Sequence, residues 1–270
     1  MKREKSAEEL REAAWAIMDE DPDKALRLAE RALRQVPDAE GHYLMGIAHS
    51  ESGDDEAGTR SFHTAIELDS EHVDAWAALG RALFDTARWE ESRHALNAAL
   101  RLDPHHAEAH YTRACLRERR GDHDGALRDY YAANAEAPTD YPLPVPLDDT
   151  TVSRITDEVV SLLHPSLQKY LDSVAILVDE VPPEEILSEF DPPARPAELL
   201  GSFSGHSLPE RSGLIPWTAL PATIVLYRRN LSRIAANHED LVGQLRVTLL
   251  HEIGHFLGLD EEDLEERGLD

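Results

Sequence analysis

His251-Glu252-Ile253-Gly254-His255-Phe256-Leu257-Gly258-Leu259-Asp260-Glu261 reads H-E-x-x-H-x-x-G followed by two acids. The spacing has a chemical reason. One helical turn separates His251 from His255, so both imidazoles share a face and can reach one metal ion. Glu252 projects beside them, where a carboxylate can take a proton from a metal-bound water. Gly258, three residues past the second histidine, can adopt positive φ, end the helix and turn the chain back. That turn would bring Asp260 or Glu261 round as a third ligand. The flanking Leu245, Val247, Leu249, Leu250, Ile253, Phe256 and Leu257 make the helix strongly apolar. In such a helix two histidines and a glutamate need a partner.

Other ligand arrangements fit less well. A glutamate from a later helix would have to be Glu265 or Glu266, with an unusual return of the chain. A three-histidine site needs a histidine at the eleventh position and a Met-bearing turn. No histidine follows His255, and the methionines are Met1, Met18 and Met45. A compact site of two histidines and one carboxylate, with an open fourth position, suits zinc.

Upstream of the motif, Asn237 is placed to cap the long helix, with Asp240 near its start. Ala222–Tyr227 and Val174–Val178 are β-branched runs and read as strands. Leu231–Ala236 reads as a short helix or turn, and the stretch from Val181 to Pro221 as a proline-rich loop. Residues 151–171 read as an amphipathic helix on Ile155, Val159, Leu162, Leu163 and Leu167, with Pro165 a point of bending. Pro138, Pro142, Pro144 and Pro146 exclude helix and mark a stiff linker. The expected division is 1–140 helical repeats, 141–149 linker and 150–270 a small α+β domain.

The first half repeats every 34 residues. Gly46, Gly80 and Ala114 are equivalent, as are Gly58, Ser92 and Ala126. So are Phe62, Leu96 and Tyr130, then Ala65, Ala99 and Ala133, with Ser70, Pro104 and Pro138 closing each unit. A weaker unit lies upstream at Ala25, Ala32 and Pro37. Small residues mark close helix crossings, large apolar ones fill the space between units, and Gly53 and Gly121 sit in turns. Trp76-Ala77-Ala78-Leu79-Gly80, with Ala99 and Pro104, resembles the tetratricopeptide repeat over about residues 39–140. The resemblance implies a stack of helix pairs, an α-helical solenoid with a concave face for a protein partner. Cys115 reads as a small buried hydrophobe. His105, His106 and His110 read as a solvated helix start rather than a metal site.

A second resemblance rests on Val-Asp-Glu-Val-Pro-Pro-Glu-Glu at 178–185, Leu-Leu-Gly at 199–201 and Leu-Pro-Glu-Arg-Ser-Gly at 208–213. Ile-Val-Leu-Tyr-Arg-Arg at 224–229 and Thr-Leu-Leu-His-Glu-Ile-Gly-His at 248–255 complete it. Together these blocks resemble the small bacterial zincin-like metallopeptidases over about residues 150–270. The resemblance implies His251 and His255 as zinc ligands and Glu252 as general base. The family pattern ends H-E-x-x-H-x-x-G-x-x-D, and Glu261 stands at its eleventh position, so Glu261 is the implied third ligand and Asp260 the substitute. It implies a hydrolase that cuts peptide bonds without a covalent intermediate. Strand 222–227 is expected to offer its edge to an extended peptide. His206, Arg211 and Tyr227 are candidate oxyanion donors, each with a bland alternative in loop surface or strand packing.

A net charge of −26 argues against nucleic acid or an anionic membrane as partner. One cysteine excludes an internal disulfide. No apolar run follows Met1-Lys2-Arg3-Glu4 and no stretch approaches membrane-spanning length, so a cytoplasmic location is expected. Two functions are consistent with these features. One is a zinc peptidase whose repeats recruit proteins. The other is a repeat scaffold carrying a structural or inactive metal site. Glu252 favours the first, because a structural zinc needs no base beside its ligands.

Overall fold

The computed structural model describes residues 5–190, 192–211 and 222–268, apart from the Arg211 side chain. It divides into two compact units, Met1–Tyr141 and Pro142–Asp270.

In the first unit the helices run α1 (Ala7–Trp15), α2 (Pro22–Gln35), α3 (Ala39–Glu51), α4 (Asp55–Leu68), α5 (Val73–Asp85), α6 (Trp89–Leu102), α7 (Ala107–Arg119) and α8 (His123–Glu136). Each packs on the next, and α1, α3, α5 and α7 also touch in sequence, so the odd helices form one layer. The 34-residue periodicity is therefore a stack of helix pairs. The weaker upstream unit is the pair α1–α2, with Ala25 and Ala32 fully buried. At Gly80 an added Cβ would lie 2.6 Å from the Leu96 side chain, so α5 and α6 cross where only hydrogen fits. Phe62, Ala75, Leu79 and Leu83 form the core between successive pairs.

The turns inside the pairs obey the same period. Gly53, Ala87 and Gly121 are 34 residues apart and have φ of 81°, 58° and 73°. A side chain in this left-handed region costs roughly 1–2 kcal/mol. Ala87→Gly is therefore expected to raise the stability of the first unit by about 1 kcal/mol, after the larger unfolded-state entropy of glycine is deducted. A denaturant midpoint equal to or below that of the parent would refute this.

The fourth pair, α7–α8, replaces apolar positions by charge. Leu79, Leu83 and Ala95 of the third pair, α5–α6, correspond to Arg113, Arg117 and Asp129. The Asp129 side chain is 4% exposed. Arg113 donates to its two oxygens from Nη2 and Nε at 2.7 and 2.8 Å, and Arg117 Nη1 lies 2.8 Å from Oδ2. His110 Nδ1 adds a contact at 2.9 Å. Burial alone would raise the Asp129 carboxyl. Hydrogen bonds from Arg113 and His110, with the charges of Arg113 and Arg117, outweigh it and hold the group below its usual range.

The three histidines at this boundary point to different partners. His105 Nδ1 meets Glu136 at 2.7 Å, and His106 Nε2 meets Asp74 at 3.0 Å while its Nδ1 caps α7. His110 joins Asp129. They do not converge on a common point. Cys115 is buried against the Tyr130 hydroxyl.

The second unit holds α9 (Asp149–Leu162), α10 (Pro165–Leu171), β1 (Val174–Asp179), α11 (Glu184–Leu187), β2 (Gly201–Ser204), α12 (Leu208–Arg211), β3 (Ala222–Tyr227), α13 (Arg228–Ile234), α14 (His238–Leu257) and α15 (Glu261–Glu265). Pro165 does more than bend a helix. Leu163 is extended, and Pro165 opens a separate helix at the position where its missing N–H costs nothing. Leu162, expected in the core, is 82% exposed.

The three strands lie in the order β1–β3–β2, with β1 parallel and β2 antiparallel to β3. This corrects the expectation that strand 222–227 offers its edge, because β3 is paired on both sides. The proline-rich segment also contains α11, β2 and α12 where a loop was expected. Its last part, 212–221, lies outside the described residues. The short Gly-Ser-Phe-Ser strand has little β-branched character, so its pairing was not visible in the sequence.

Alternation of side chains places Ile224 and Leu226 of β3 in the core with Leu241, Leu245, Leu249, Ile253 and Phe256 of α14 and with Ile155 and Val159 of α9. Phe203 of β2 packs on Phe256, ring centroids 6.2 Å apart. Asn237 caps α14 by accepting from the Glu239 and Asp240 amides. Among the described residues no helix is long and apolar enough to cross a membrane.

Candidate metal centre

The buried stripe of α14 fixes its rotation about its axis. With Leu245, Leu249, Ile253 and Phe256 turned into the core, His251 and His255 stand half-buried on a neighbouring face. Their Nε2 atoms are 3.0 Å apart. Gly258 then ends the helix at φ 89°, and the chain turns into α15. The return brings Glu261 over the histidines. Its Oε1 lies 3.3 Å from His255 Nε2 and its Oε2 lies 3.7 Å from His251 Nε2. Asp260 has a different task, since its side chain accepts from the Asp263 amide and caps α15. Among the described residues His251, His255 and Glu261 are a group whose ligand atoms all lie within 4.8 Å of one another.

Packing holds α15 in place. Gly254 faces Leu264, and an added Cβ would lie 2.4 Å from Leu264 Cδ2. Leu264 is fully buried, so it has little room to move. Gly254→Ala should therefore shift α15 and carry Glu261 away from the histidines. The expected result is about tenfold weaker zinc binding, measured by competition with a chromogenic chelator. Unchanged affinity would show that α15 adapts without moving its carboxylate or that Glu261 is not a ligand.

Glu252 lies one residue from His251 and is 5% exposed. Burial, and secondarily the Glu261 carboxylate, push its carboxyl up to about 8. A cleft of about 200 Å³ opens beside it, lined by His251, Glu252, Thr248, Val247 and Gln244 of α14 and by Leu199, Leu200 and Gly201 leading into β2. Gly201 approaches so closely that an added Cβ would lie 2.9 Å from Glu252 Oε1.

The other sequence candidates are placed differently. Tyr227 is buried, and its hydroxyl is 2.7 Å from Ser202 Oγ, which makes it a packing group of the sheet. His206 lies half-buried in the turn between β2 and α12. The Arg211 side chain is outside the described residues. Sequence reasoning missed Gly201 and the β2 edge. The Leu-Leu-Gly block carried a signal, because a glycine interrupting an apolar run often marks close approach of a backbone.

Residues 171–269 match the family model described as zincin-like metallopeptidase, and residues 77–141 match that described as tetratricopeptide repeat. The chain thus carries tetratricopeptide repeats and a zincin-like metallopeptidase domain. No curated protein matches it. Among solved structures, a crystal structure of MamA is 20% identical, covers 50% of this chain and 80% of its own, and superposes with a TM-score of 0.43. The crystal structure of YrrB, described as a tetratricopeptide protein with an unusual peptide-binding site, is 21% identical. It covers 49% of this chain and 70% of its own, with a TM-score of 0.41.

Proposed function

We propose that the second unit is a zinc-dependent peptidase and that the repeats recruit protein to it. The observation that carries the reading is the convergence of His251, His255 and Glu261 on one point beside the buried carboxyl of Glu252. The donor set fits a divalent cation. His255 Nδ1 lies 3.2 Å from the Leu259 carbonyl, which sets the tautomer that donates there and leaves Nε2 a bare lone pair. That lone pair faces the Glu261 carboxylate. His251 Nε2 lies 3.0 Å from the same lone pair, so a proton or a metal ion can occupy the space between these groups. Two imidazoles and one carboxylate, with a position left open, are a set that zinc favours.

When bound, zinc would polarise the scissile carbonyl and acidify a water. The chain's own residues supply the rest. Glu252 Oε holds and moves the proton, taking it from the water and returning it to the leaving amine. Burial raises its proton affinity, and a cation held beside it would favour the ionised form that accepts the proton. Gly201 lets a backbone come close to that carboxyl. Among the described residues the outer strands of the sheet are β1 and β2, and the edge of β2, which approaches Glu252, is the one where an extended peptide can pair beside the metal centre.

The test uses full-length protein. Zinc content close to one per chain is expected, together with slow cleavage of an unfolded polypeptide. Chelation should stop cleavage and added zinc should restore it. A protein that takes up no zinc when supplied with it would refute the reading and leave a repeat scaffold.

A further inference from the structure

We propose that the seam between α6 and α7 holds a binding site for a phosphate monoester. The site lies in the repeat unit and does not depend on the metal centre.

Arg93 and Asn97 of α6, with Arg113, Arg117 and Arg120 of α7 and its C-terminal turn, line a cavity of about 360 Å³. One repeat earlier the same places are taken by Thr59, His63, Leu79, Leu83 and Thr86. The repeat pattern therefore does not call for arginine at any of them. The chain as a whole carries a charge of −26, so four guanidinium groups at one seam run against its composition. Like charges gathered in this way repel one another and need anions between them.

Two carboxylates fill that need in different ways. Asp129 is sealed behind Arg113 and Arg117 and fixes the planes of both guanidinium groups. Asn97 Oδ1 accepts from Arg113 Nη1 at 3.1 Å and ties that plane to α6. Glu90 stands outside. Its Oε2 accepts from Arg93 Nε and Nη2 at 2.9 and 2.7 Å, and its Oε1 from Arg120 Nη1 at 3.3 Å. Its side chain is 65% exposed, so it can turn aside into water at little cost. It marks the place where an incoming anion meets Arg93 and Arg120, with Arg113 and Arg117 behind.

Charge and shape select the ligand. The four arginines pair with three carboxylates, Asp129, Asp122 and Glu90, and once Glu90 turns aside two positive charges are in surplus. A phosphate monoester carries about −1.5 to −2 at neutral pH and matches that surplus. Its three terminal oxygens can take more than one guanidinium fork, whereas a carboxylate offers two oxygens and a single charge. The cavity is of a size for the phosphate and the group that bears it. A long polyanion would meet the strongly negative remainder of the chain.

The experiment is calorimetric titration of full-length protein at low salt. The probes are a blocked pentapeptide with a central phosphoserine, the same peptide with Glu in its place, and inorganic phosphate. The phosphoserine peptide should bind about tenfold more tightly than the Glu peptide. Arg93→Gln with Arg120→Gln, both outside the Asp129 contacts, should weaken it about tenfold. Glu90→Gln, which removes the competing carboxylate, should tighten it about two- to fivefold. Arg34→Gln with Arg60→Gln removes two exposed arginines elsewhere and should leave it unchanged. Inorganic phosphate binding as tightly as the phosphopeptide would support the site and assign it to a small phosphate compound. Clearly weaker binding would support it and assign it to a phosphorylated side chain. No binding of either phosphate probe, equal affinity for the phosphoserine and Glu peptides, or equal losses in the two double variants would overturn the proposal.

Discussion

Zinc-loaded protein carrying Glu252→Gln is expected to keep its metal and to hydrolyse peptides about 10²–10⁴-fold more slowly. The substituted amide would have the shape of the original side chain but no basic oxygen, so the proton of the attacking water has nowhere to go. The fold should tolerate the change. Glu252 is 5% exposed and its ionised form is disfavoured by burial, so a neutral group of equal size is not a burden there. His251→Ala with His255→Ala should behave differently, losing zinc and activity together, because both Nε2 atoms that face Glu261 disappear. Measuring zinc content by mass spectrometry beside the cleavage rate separates the two. A Glu252→Gln protein as active as its parent would remove Glu252 from the mechanism. One that no longer holds zinc would make Glu252 part of the ligand shell.

Asp129→Ala is expected to be the most damaging single change in the repeats, at about 3 kcal/mol. The carboxylate is nearly inaccessible and is shared by Arg113, Arg117 and His110. Removing it leaves two guanidinium groups crowded together at a half-buried site. They are partly exposed and can turn toward water, which keeps the cost at the lower end of the range for a broken buried pair. The melting temperature of the first unit should fall by on the order of 10 °C. The sign of the pH dependence follows from the depressed carboxyl. Its contribution is complete above the unfolded value of about 3.9 and is lost as pH falls through the lower folded value. The difference between parent and variant should therefore close in strong acid. A gap that persists unchanged there would show that Asp129 acts by packing rather than by charge.

Most of the architecture is written in local pattern. The 34-residue period located the helix pairs, since each position in a repeat meets the same neighbours and must keep the same size. Arg113, Arg117 and Asp129 broke that size rule together, and only contact in space explains why three charges can stand where Leu79, Leu83 and Ala95 stand in the pair before. The His251–His255 pair was legible for the same local reason, one turn of one helix. Leu162 was misjudged because periodicity marks an apolar position without saying whether a neighbour covers it, and it is 82% exposed.

The sequence by itself brought His251, Glu252 and His255 together as candidates, because residue type and spacing within one helix are covalent facts. It left Asp260 and Glu261 as alternatives. In the fold Asp260 Oδ1 accepts from the Asp263 amide, and with Leu264 packed against Gly254 the Glu261 carboxylate lies beside both histidines. Strand order was likewise beyond local reading. Whether β3 is an edge or a centre depends on β2, whose four residues carry almost no strand signal and pair only because the chain brings them there. Within a helix the ladder is internal, so sequence decides it. In a sheet the partners are distant in the chain, so only the tertiary structure does.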